Sequence, residues 1–240
     1  MSELLYLSDC YLREFDADVV SCSGKRIVLN KTAFYPESGG QPSDVGVISC
    51  SGKTAKVISV KKESGEVFHE IDSDCSALGI TIGSSVHGII DWEKRYPLMR
   101  SHTAAHVLSA VIAREDSSID ITGNQLGIDK SRIDFSMENF DREKIKHYEE
   151  EANREIAKAL PVSISFLLRE EAFKIPGLVK LRKMLPESLK TIRVVRIEGL
   201  DEQACGGTHL KNISEIKGIE VLSCENKGKS NRRVYFRLKA

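Results

Sequence analysis

Short runs of alternating apolar and polar residues fill roughly the first ninety positions, and serine and glycine pairs separate them at residues 23–24, 51–52, 64–65 and 83–84. Alternation at a period of two is typical of half-buried strands, and glycine at the breaks favours tight turns. The pattern predicts a hairpin over residues 19–30, and a small β-barrel or sandwich for the front of the chain.

The hydrophobic period lengthens after residue 90. It predicts a helix from about Leu98, with an apolar face made of Leu98, Ala105, Leu108, Val111 and Ile112. A second, amphipathic helix is predicted over residues 141–161, where Asp141 is the expected N-cap and Pro161 ends the helix. Its apolar positions are Ile145, Tyr148, Ala152, Ile156 and Ala159.

Further strands are predicted over residues 162–168 and 191–200, with a turn and a short strand over 123–136 and a closing hairpin over 219–240. Mixed helices and strands are typical of an α+β domain. We therefore expect a β-barrel domain at residues 1–90 and an α+β domain at residues 91–240, with the boundary between Asp91 and Pro97.

Composition and net charge limit the kinds of partner that the chain could bind. The chain has 240 residues, 41% of them hydrophobic, which is enough for a sizeable core. The 35 basic and 35 acidic residues cancel, so nucleic acid has to be bound by a local basic patch or not at all. Three basic groups are candidates, although each is as readily explained as solvated surface: Lys94, Arg95 and Arg100; Lys180, Arg182 and Lys183; and Lys227, Lys229, Arg232 and Arg233.

No secretory or membrane-spanning segment is evident, so we expect a cytoplasmic protein with reduced cysteines and no membrane partner.

Two pairs of residues have the spacing of metal ligands. His102 and His106 are four apart on the predicted helix and so share one face, while Cys205 and His209 flank Gly206 and Gly207. The glycines would allow a tight turn with positive backbone angles. Taken singly, the pairs are as well explained by ordinary histidines and a flexible loop. Together they form a set of nitrogen and sulfur ligands that suits zinc, in either a structural or a catalytic site.

A third candidate is the glycine-rich segment at residues 30–46, where Gly39 and Gly40 precede Gln41 in an expected exposed turn. Thr32, Ser38 and Gln41 could direct polar groups from it into a pocket. A plain connection between strands explains the segment equally well.

RSHTAAHVL, CGGTH and FYPESGGQPSDVG together resemble the AlaX family of alanyl-tRNA editing proteins, in the form with an N-terminal glycine-rich-loop domain, and the editing region of alanyl-tRNA synthetase. The resemblance covers nearly the whole chain. It implies a barrel similar to that of translation factors, followed by a zinc-binding α+β editing domain of the threonyl- and alanyl-tRNA synthetase type.

The resemblance also implies roles for individual residues. One zinc ion per chain would be bound by His102, His106, Cys205 and His209. Thr32, Thr122, Asn124 and Gln125 would belong to the catalytic pocket, and Thr32 would take part in the choice of substrate as a hydrogen-bond donor or acceptor. The substrate-binding residues would be Gly39, Gly40, Gln41, Gly206, Gly207 and Thr208.

The expected activity is hydrolysis of the ester in tRNA(Ala) mischarged with serine, with glycine as a second candidate. The apolar alanine pocket of a synthetase rejects serine poorly, because serine adds only one hydroxyl. A separate, polar editing site would correct this error. Two alternatives remain: an RNA-binding module with a structural zinc, and a zinc hydrolase that acts on another small ester or amide.

Overall fold

The computed structural model describes residues 2–137, 141–179 and 189–239. The chain divides into two compact units, Met1–Met99 and Arg100–Ala240. In the described part of the chain, no helix combines the length and the apolar character that crossing a membrane requires. The six cysteines are free thiols.

The first unit is built around a closed antiparallel barrel with the strand order β2-β3-β7-β6-β5-β8, which confirms the predicted barrel and its first hairpin. Its strands are β1 (Glu3–Leu4), β2 (Glu14–Ser23), β3 (Arg26–Leu29), β4 (Lys31–Thr32), β5 (Gly46–Cys50), β6 (Lys53–Glu63), β7 (Glu66–Ile71) and β8 (Ser85–Ile90). A 3-10 helix at Leu5–Leu7 and a short helix α1 (Cys75–Leu78) complete the unit, and β1 pairs with β4 in parallel.

Alternation explains the barrel. On β2, Phe15, Ala17 and Val19 are buried while the residues between them face outwards, as the period of two requires. Gly46 opens β5 where the backbones crowd together: a Cβ on this residue would lie 2.1 Å from the carbonyl oxygen of Ile89 on β8. A side chain at position 46 would therefore force the backbones of β5 and β8 to shift apart at this point.

A long helix, α2 (Trp92–Glu115), leads from the first unit into the second. The remaining elements are β9 (Ile121–Gln125), β10 (Ser131–Phe135), α3 (Arg142–Ala157), β11 (Val162–Leu168), α4 (Arg169–Ala172), α5 (Pro176–Val179), β12 (Thr191–Ile197), β13 (Asp201–Ala204), a 3-10 helix at Ile213–Ile216, β14 (Ile219–Asn226) and β15 (Arg232–Leu238). They form one antiparallel sheet with the order β14-β15-β10-β9 and another with the order β11-β12-β13. The α+β prediction and the closing hairpin are confirmed.

Three local predictions were wrong. Helix α2 begins at Trp92 rather than near Leu98, because Asp91 accepts a hydrogen bond from the Lys94 N–H at 3.3 Å and so starts the helix before Pro97. Residues 121–125 form a strand rather than part of a turn, since they pair with β10. Helix α3 has the predicted cap at Asp141 but ends at Ala157, and Ala159 lies beyond it with a positive φ of 54°.

Candidate metal centre

Helix α2 carries His102 and His106 one turn apart, and both side chains are buried. The apolar face predicted from spacing is buried as well, so the helix is fixed inside the second unit and its two imidazoles have a defined direction. Their ring centroids lie 5.3 Å apart. Two potential ligands therefore stand side by side on a rigid element.

Cys205 and His209 approach these histidines from the segment that follows β13. The Cys205 Sγ atom lies 3.5 Å from Nε2 of His102 and 3.2 Å from Nε2 of His209. The His209 ring centroid lies 4.3 Å from that of His102 and 4.7 Å from that of His106. One ligand atom from each of the four residues lies within 4.8 Å of all the others. Residues more than a hundred positions apart thus meet around one point.

These distances fit a single metal ion. For zinc bound tetrahedrally, with bonds of about 2.0–2.1 Å to nitrogen and about 2.3 Å to sulfur, neighbouring ligand atoms lie roughly 3.4–3.6 Å apart. The two Sγ–Nε2 distances of 3.5 and 3.2 Å are close to that spacing. The four side chains can therefore hold a metal ion with little rearrangement.

Neighbouring polar groups orient two of the imidazoles. His106 donates from Nδ1 to the Asp201 carboxylate at 2.7 Å, and the other carboxylate oxygen of Asp201 accepts from the Gln203 amide at 2.9 Å. The Thr103 hydroxyl oxygen lies 3.2 Å from Nδ1 of His209. Occupied Nδ1 atoms leave Nε2 as the metal-binding atom, which is the usual arrangement around histidine ligands.

Sequence reasoning missed Asp201, Gln203 and Thr103. A signal was present for the first two, because Asp201, Gln203 and Cys205 alternate along one strand and so share a face.

The charges within the cluster are strongly coupled. Burial alone would raise the pKa of the Cys205 thiol, but the facing imidazoles of His102 and His209 hold this pKa well below its usual value. Burial would lower the pKa of His106, yet its hydrogen bonds to Asp201 and Cys205 raise it to about 10. Burial and the neighbouring His102 lower the pKa of His209 to about 3. The protein without metal thus favours a thiolate beside an imidazolium, and a divalent cation can replace that proton.

The turn between Cys205 and His209 differs from expectation in one respect. Neither Gly206 nor Gly207 has a positive φ, so the convergence of thiolate and imidazole does not depend on the left-handed backbone that we predicted. The Gly207 N–H lies 3.5 Å from the Cys205 sulfur, which helps to orient the thiolate. Gly206 is exposed, whereas Thr208 is fully buried.

The pocket residues expected on β9 lie at the edge of the four-stranded sheet. The Thr122 hydroxyl donates to Asn231 at 2.8 Å, and the Gln125 side chain accepts from Arg132 at 3.2 Å. Asn124 is half-buried. The turn after β9 contacts helix α2, because the hydroxyl of Ser101 donates to the Gly127 carbonyl at 3.0 Å. Since Ser101 precedes His102, this end of the sheet lies beside the ligand-bearing helix.

The glycine-rich segment is a closed, well-packed loop of the first unit. Gly39 and Gly40 have φ values of 57° and 80°, and Ser38 and Gln41 pair across them as in a hairpin turn. Gln41 is fully buried. The predicted sharp turn is thus confirmed, and its exposed tip is Gly39.

Arg95 of α2 holds the base of this loop. Its guanidinium forms a buried ion pair with Asp44 and donates to the Ala33 carbonyl at 2.6 Å and the Cys10 carbonyl at 3.0 Å. Asp44 also accepts from the backbone N–H of Tyr35, which closes the loop.

Thr32 is fully buried, and its hydroxyl lies 2.8 Å from Nε2 of His69. His69 Nδ1 lies 3.3 Å from the Ile27 carbonyl, which can only accept, so Nδ1 carries the proton and Nε2 accepts the proton of Thr32. The Thr32 oxygen also accepts from the Phe34 N–H at 3.1 Å. One lone pair remains, so Thr32 is an acceptor for any further group and no longer a donor.

Several basic candidates are engaged within the protein. Arg95 is fully buried, Arg100 donates to the carbonyls of Glu215 and Ile216, and Arg233 pairs with Asp134 at 2.7 Å. Arg232 is buried too, so it is not a surface charge. The exposed candidates are Lys94, Lys227 and Lys229, while Lys180, Arg182 and Lys183 lie outside the described residues.

Known families match both units. A profile described as "tRNA synthetases class II (A)" matches residues 7–94, and one described as "Threonyl and Alanyl tRNA synthetase second additional domain" matches residues 192–235. The chain is 49% identical to the alanyl-tRNA editing protein AlaX-M of Methanosarcina barkeri over 99% of both proteins. It is 42% identical to the protein of the same name from Saccharolobus solfataricus over the full length of both.

The chain belongs to the AlaX-M family. These relatives confirm the family resemblance that we inferred from the glycine-rich segment and the two ligand pairs. The chain is also 37% identical to the alanine–tRNA ligase of Thermoplasma acidophilum over 97% of its own length, which is 26% of the ligase. The chain thus matches about a quarter of the length of that ligase.

Proposed function

We propose that this chain is a deacylase that edits tRNA(Ala), hydrolysing the ester that joins a wrong amino acid to the tRNA. The carrying observation is the convergence of His102, His106, Cys205 and His209 around one point in a chain of the AlaX-M family. Serine is the principal substrate and glycine the second candidate. The expected compartment is the cytoplasm, where charged tRNA is used.

The physical need for such an enzyme lies in the similarity of the amino acids. A synthetase pocket for alanine gains little power to reject serine, which adds one hydroxyl. A second site that hydrogen-bonds this hydroxyl can reject alanine, because alanine would leave buried polar groups unpaired. The family resemblance is what brings Thr32 into this proposal, as a residue that takes part in the choice of substrate, and its hydroxyl donates to Nε2 of His69.

We propose zinc as the metal, one ion per chain, because three imidazoles and a thiolate form a typical zinc ligand set. When bound, zinc supplies a Lewis acid that can polarise the ester carbonyl, activate water or hold the substrate's α-amino group. Asp201 fixes the His106 ring through a 2.7 Å hydrogen bond. This bond occupies the carboxylate, so Asp201 is a positioning residue rather than a general base.

The residues around the metal favour a site that binds the α-amino group of the amino acid attached to the tRNA. No glutamate follows the first histidine as in the HExxH motif, and Asp201 is engaged. We therefore expect seryl-tRNA(Ala) with an acetylated amino group to be hydrolysed poorly. Equal hydrolysis of the acetylated and free forms would contradict this role.

The tRNA body requires phosphate contacts, for which Lys94, Lys227 and Lys229 are the exposed candidates. Lys227 lies 3.2 Å from Glu225, but an exposed pair of this kind contributes little and can be exchanged for phosphate. Replacing one phosphate-binding lysine by methionine should weaken tRNA binding and reduce its salt dependence.

One observation favours a second candidate, an RNA-binding module with a structural zinc. All four ligands come from the protein, as in closed structural sites, and His209 is almost fully buried. Removal of the metal with a chelator distinguishes the two. A deacylase loses activity, keeps most of its melting temperature and recovers when zinc is restored. A structural zinc gives a large fall in melting temperature, with no hydrolysis before or after.

A further inference from the structure

An exposed aromatic side chain, Phe166, lies on the sheet face that carries the metal centre. On the strand pairing, Phe166 of β11 lies directly opposite Arg193 of β12. Arg193 in turn accepts a backbone hydrogen bond from Cys205 at 3.2 Å, which continues the β12–β13 pairing by one residue. Directly paired residues of antiparallel strands point to the same face. Cys205, Arg193 and Phe166 therefore form one row across the sheet.

The spacing of this row is fixed by the sheet. Neighbouring strands lie about 4.7–4.9 Å apart, so the backbones of Phe166 and Cys205 are separated by about 10 Å. Between them, the guanidinium of Arg193 is held by its donation to the Cys205 carbonyl. A ribose with an ester on one side and a base on the other spans a comparable length. A nucleoside whose ester lay at the metal centre would thus bring its base near Phe166.

Within the described residues of the second unit, the Phe166 ring is only partly covered. Its side chain is 50% exposed, whereas Val195 and Ile197 on the same sheet face are buried. Exposed aromatic rings beside basic side chains are the usual stacking surfaces for unpaired nucleobases. The 3′ end of tRNA is single-stranded and ends in an adenosine, whose ribose carries the amino acid.

The geometry points to Phe166 as the stacking surface for the terminal adenine of the aminoacyl-tRNA, with Arg193 between the base and the metal centre. This inference rests on the proposed function, because it takes the ester to be cut at the metal centre. Phe166 binds substrate and takes no part in bond breaking. Its loss should raise KM and leave kcat nearly unchanged.

The test uses tRNA(Ala) with 2-aminopurine in place of the terminal adenine and serine attached through an amide that resists hydrolysis. Stacking quenches 2-aminopurine fluorescence. The wild-type protein and the Phe166→Tyr variant should quench it. Phe166→Ala should lose the quenching and bind the tRNA roughly 5- to 100-fold more weakly. Leu222→Ala, which removes a similarly exposed apolar side chain from β14, should behave as wild type.

Retention of the quenching by Phe166→Ala would overturn the assignment, and so would loss of bound zinc together with the quenching. Loss of zinc would show that Phe166 has a structural role. The proposed function fails separately, if zinc-loaded wild-type protein releases no serine from ester-linked seryl-tRNA(Ala). Release of serine with equal KM for wild type and Phe166→Ala would refute the stacking surface alone.

Discussion

The buried hydrogen bond between His69 and Thr32 predicts a specific dependence of stability on pH. His69 is fully buried in the barrel, and burial lowers its pKa from 6.5 to about 4 despite its backbone partner Ile27. The imidazole is therefore neutral in the folded protein throughout the range in which the unfolded chain takes up a proton. Folding then competes with protonation of this one side chain.

The direction and size of this change in stability with pH follow from the two pKa values of His69. Well above pH 6.5 neither state binds the proton, so the contribution of His69 to stability is fully present. As pH falls from 6.5 towards 4, the unfolded state gains a proton that the folded state rejects, and stability is lost. The two pKa values give a loss of about 2 kcal/mol between pH 7 and pH 5.

Urea unfolding measures this loss. Trp92 is the single tryptophan of the chain and lies in the first unit, so its fluorescence reports on the unit that contains His69. In His69→Gln the free energy of unfolding should fall by about 2 kcal/mol less between pH 7 and pH 5 than in wild type. His87→Gln, at a half-buried histidine on β8, is the matched control. Parallel pH curves for wild type and His69→Gln would refute the buried neutral state of His69.

Three further predictions concern buried contacts. Arg95→Met leaves the Asp44 carboxylate buried without its partner and should cost about 3–5 kcal/mol of unfolding free energy, measured by Trp92 fluorescence in urea. Gly46→Ala places a Cβ against the Ile89 carbonyl and should cost about 1–3 kcal/mol or more in the same measurement. Asp201→Asn weakens the orientation of a histidine ligand and should raise the zinc Kd about 10- to 100-fold in a competition with a chelator.

Two of these variants have matched controls that should differ little from wild type. They are Lys94→Met, at the exposed neighbour on the same helix, and Glu202→Gln, on the opposite face of β13. Equal stabilities of Arg95→Met and Lys94→Met would disprove the buried ion pair. An unaltered melting curve for Gly46→Ala would show that the barrel tolerates the extra atom. An unchanged zinc Kd for Asp201→Asn would remove its positioning role.

The sequence predicts elements well where the evidence is periodic and local. Alternation along β2 indicates the barrel strands, and the cap at Asp141 marks the start of α3. The metal cluster could also be predicted from the sequence. His102 and His106 have helical spacing, and the family resemblance connected them with Cys205 and His209. Spacing alone did not establish that the two pairs meet.

Side-chain contacts between residues far apart in the sequence could not be predicted. Lys94 and Arg95 look alike as a basic pair, yet neighbouring helix positions point about 100° apart, so one is exposed and the other is buried against Asp44, 51 residues away. The bond between Thr32 and His69 likewise joins β4 to β7 across 37 residues. Neither contact leaves a signal in the spacing of residues along the chain.

The most direct test of the proposed activity is hydrolysis of tRNA(Ala) carrying labelled serine, glycine or alanine by the zinc-loaded protein, with a Cys205→Ala variant beside it. We predict that serine is released, that alanine is spared, and that the variant, which lacks one of the four clustered ligands, releases nothing above background. Loss of serine and alanine at the same rate, or full activity of the Cys205→Ala variant, would contradict a metal-dependent editing site.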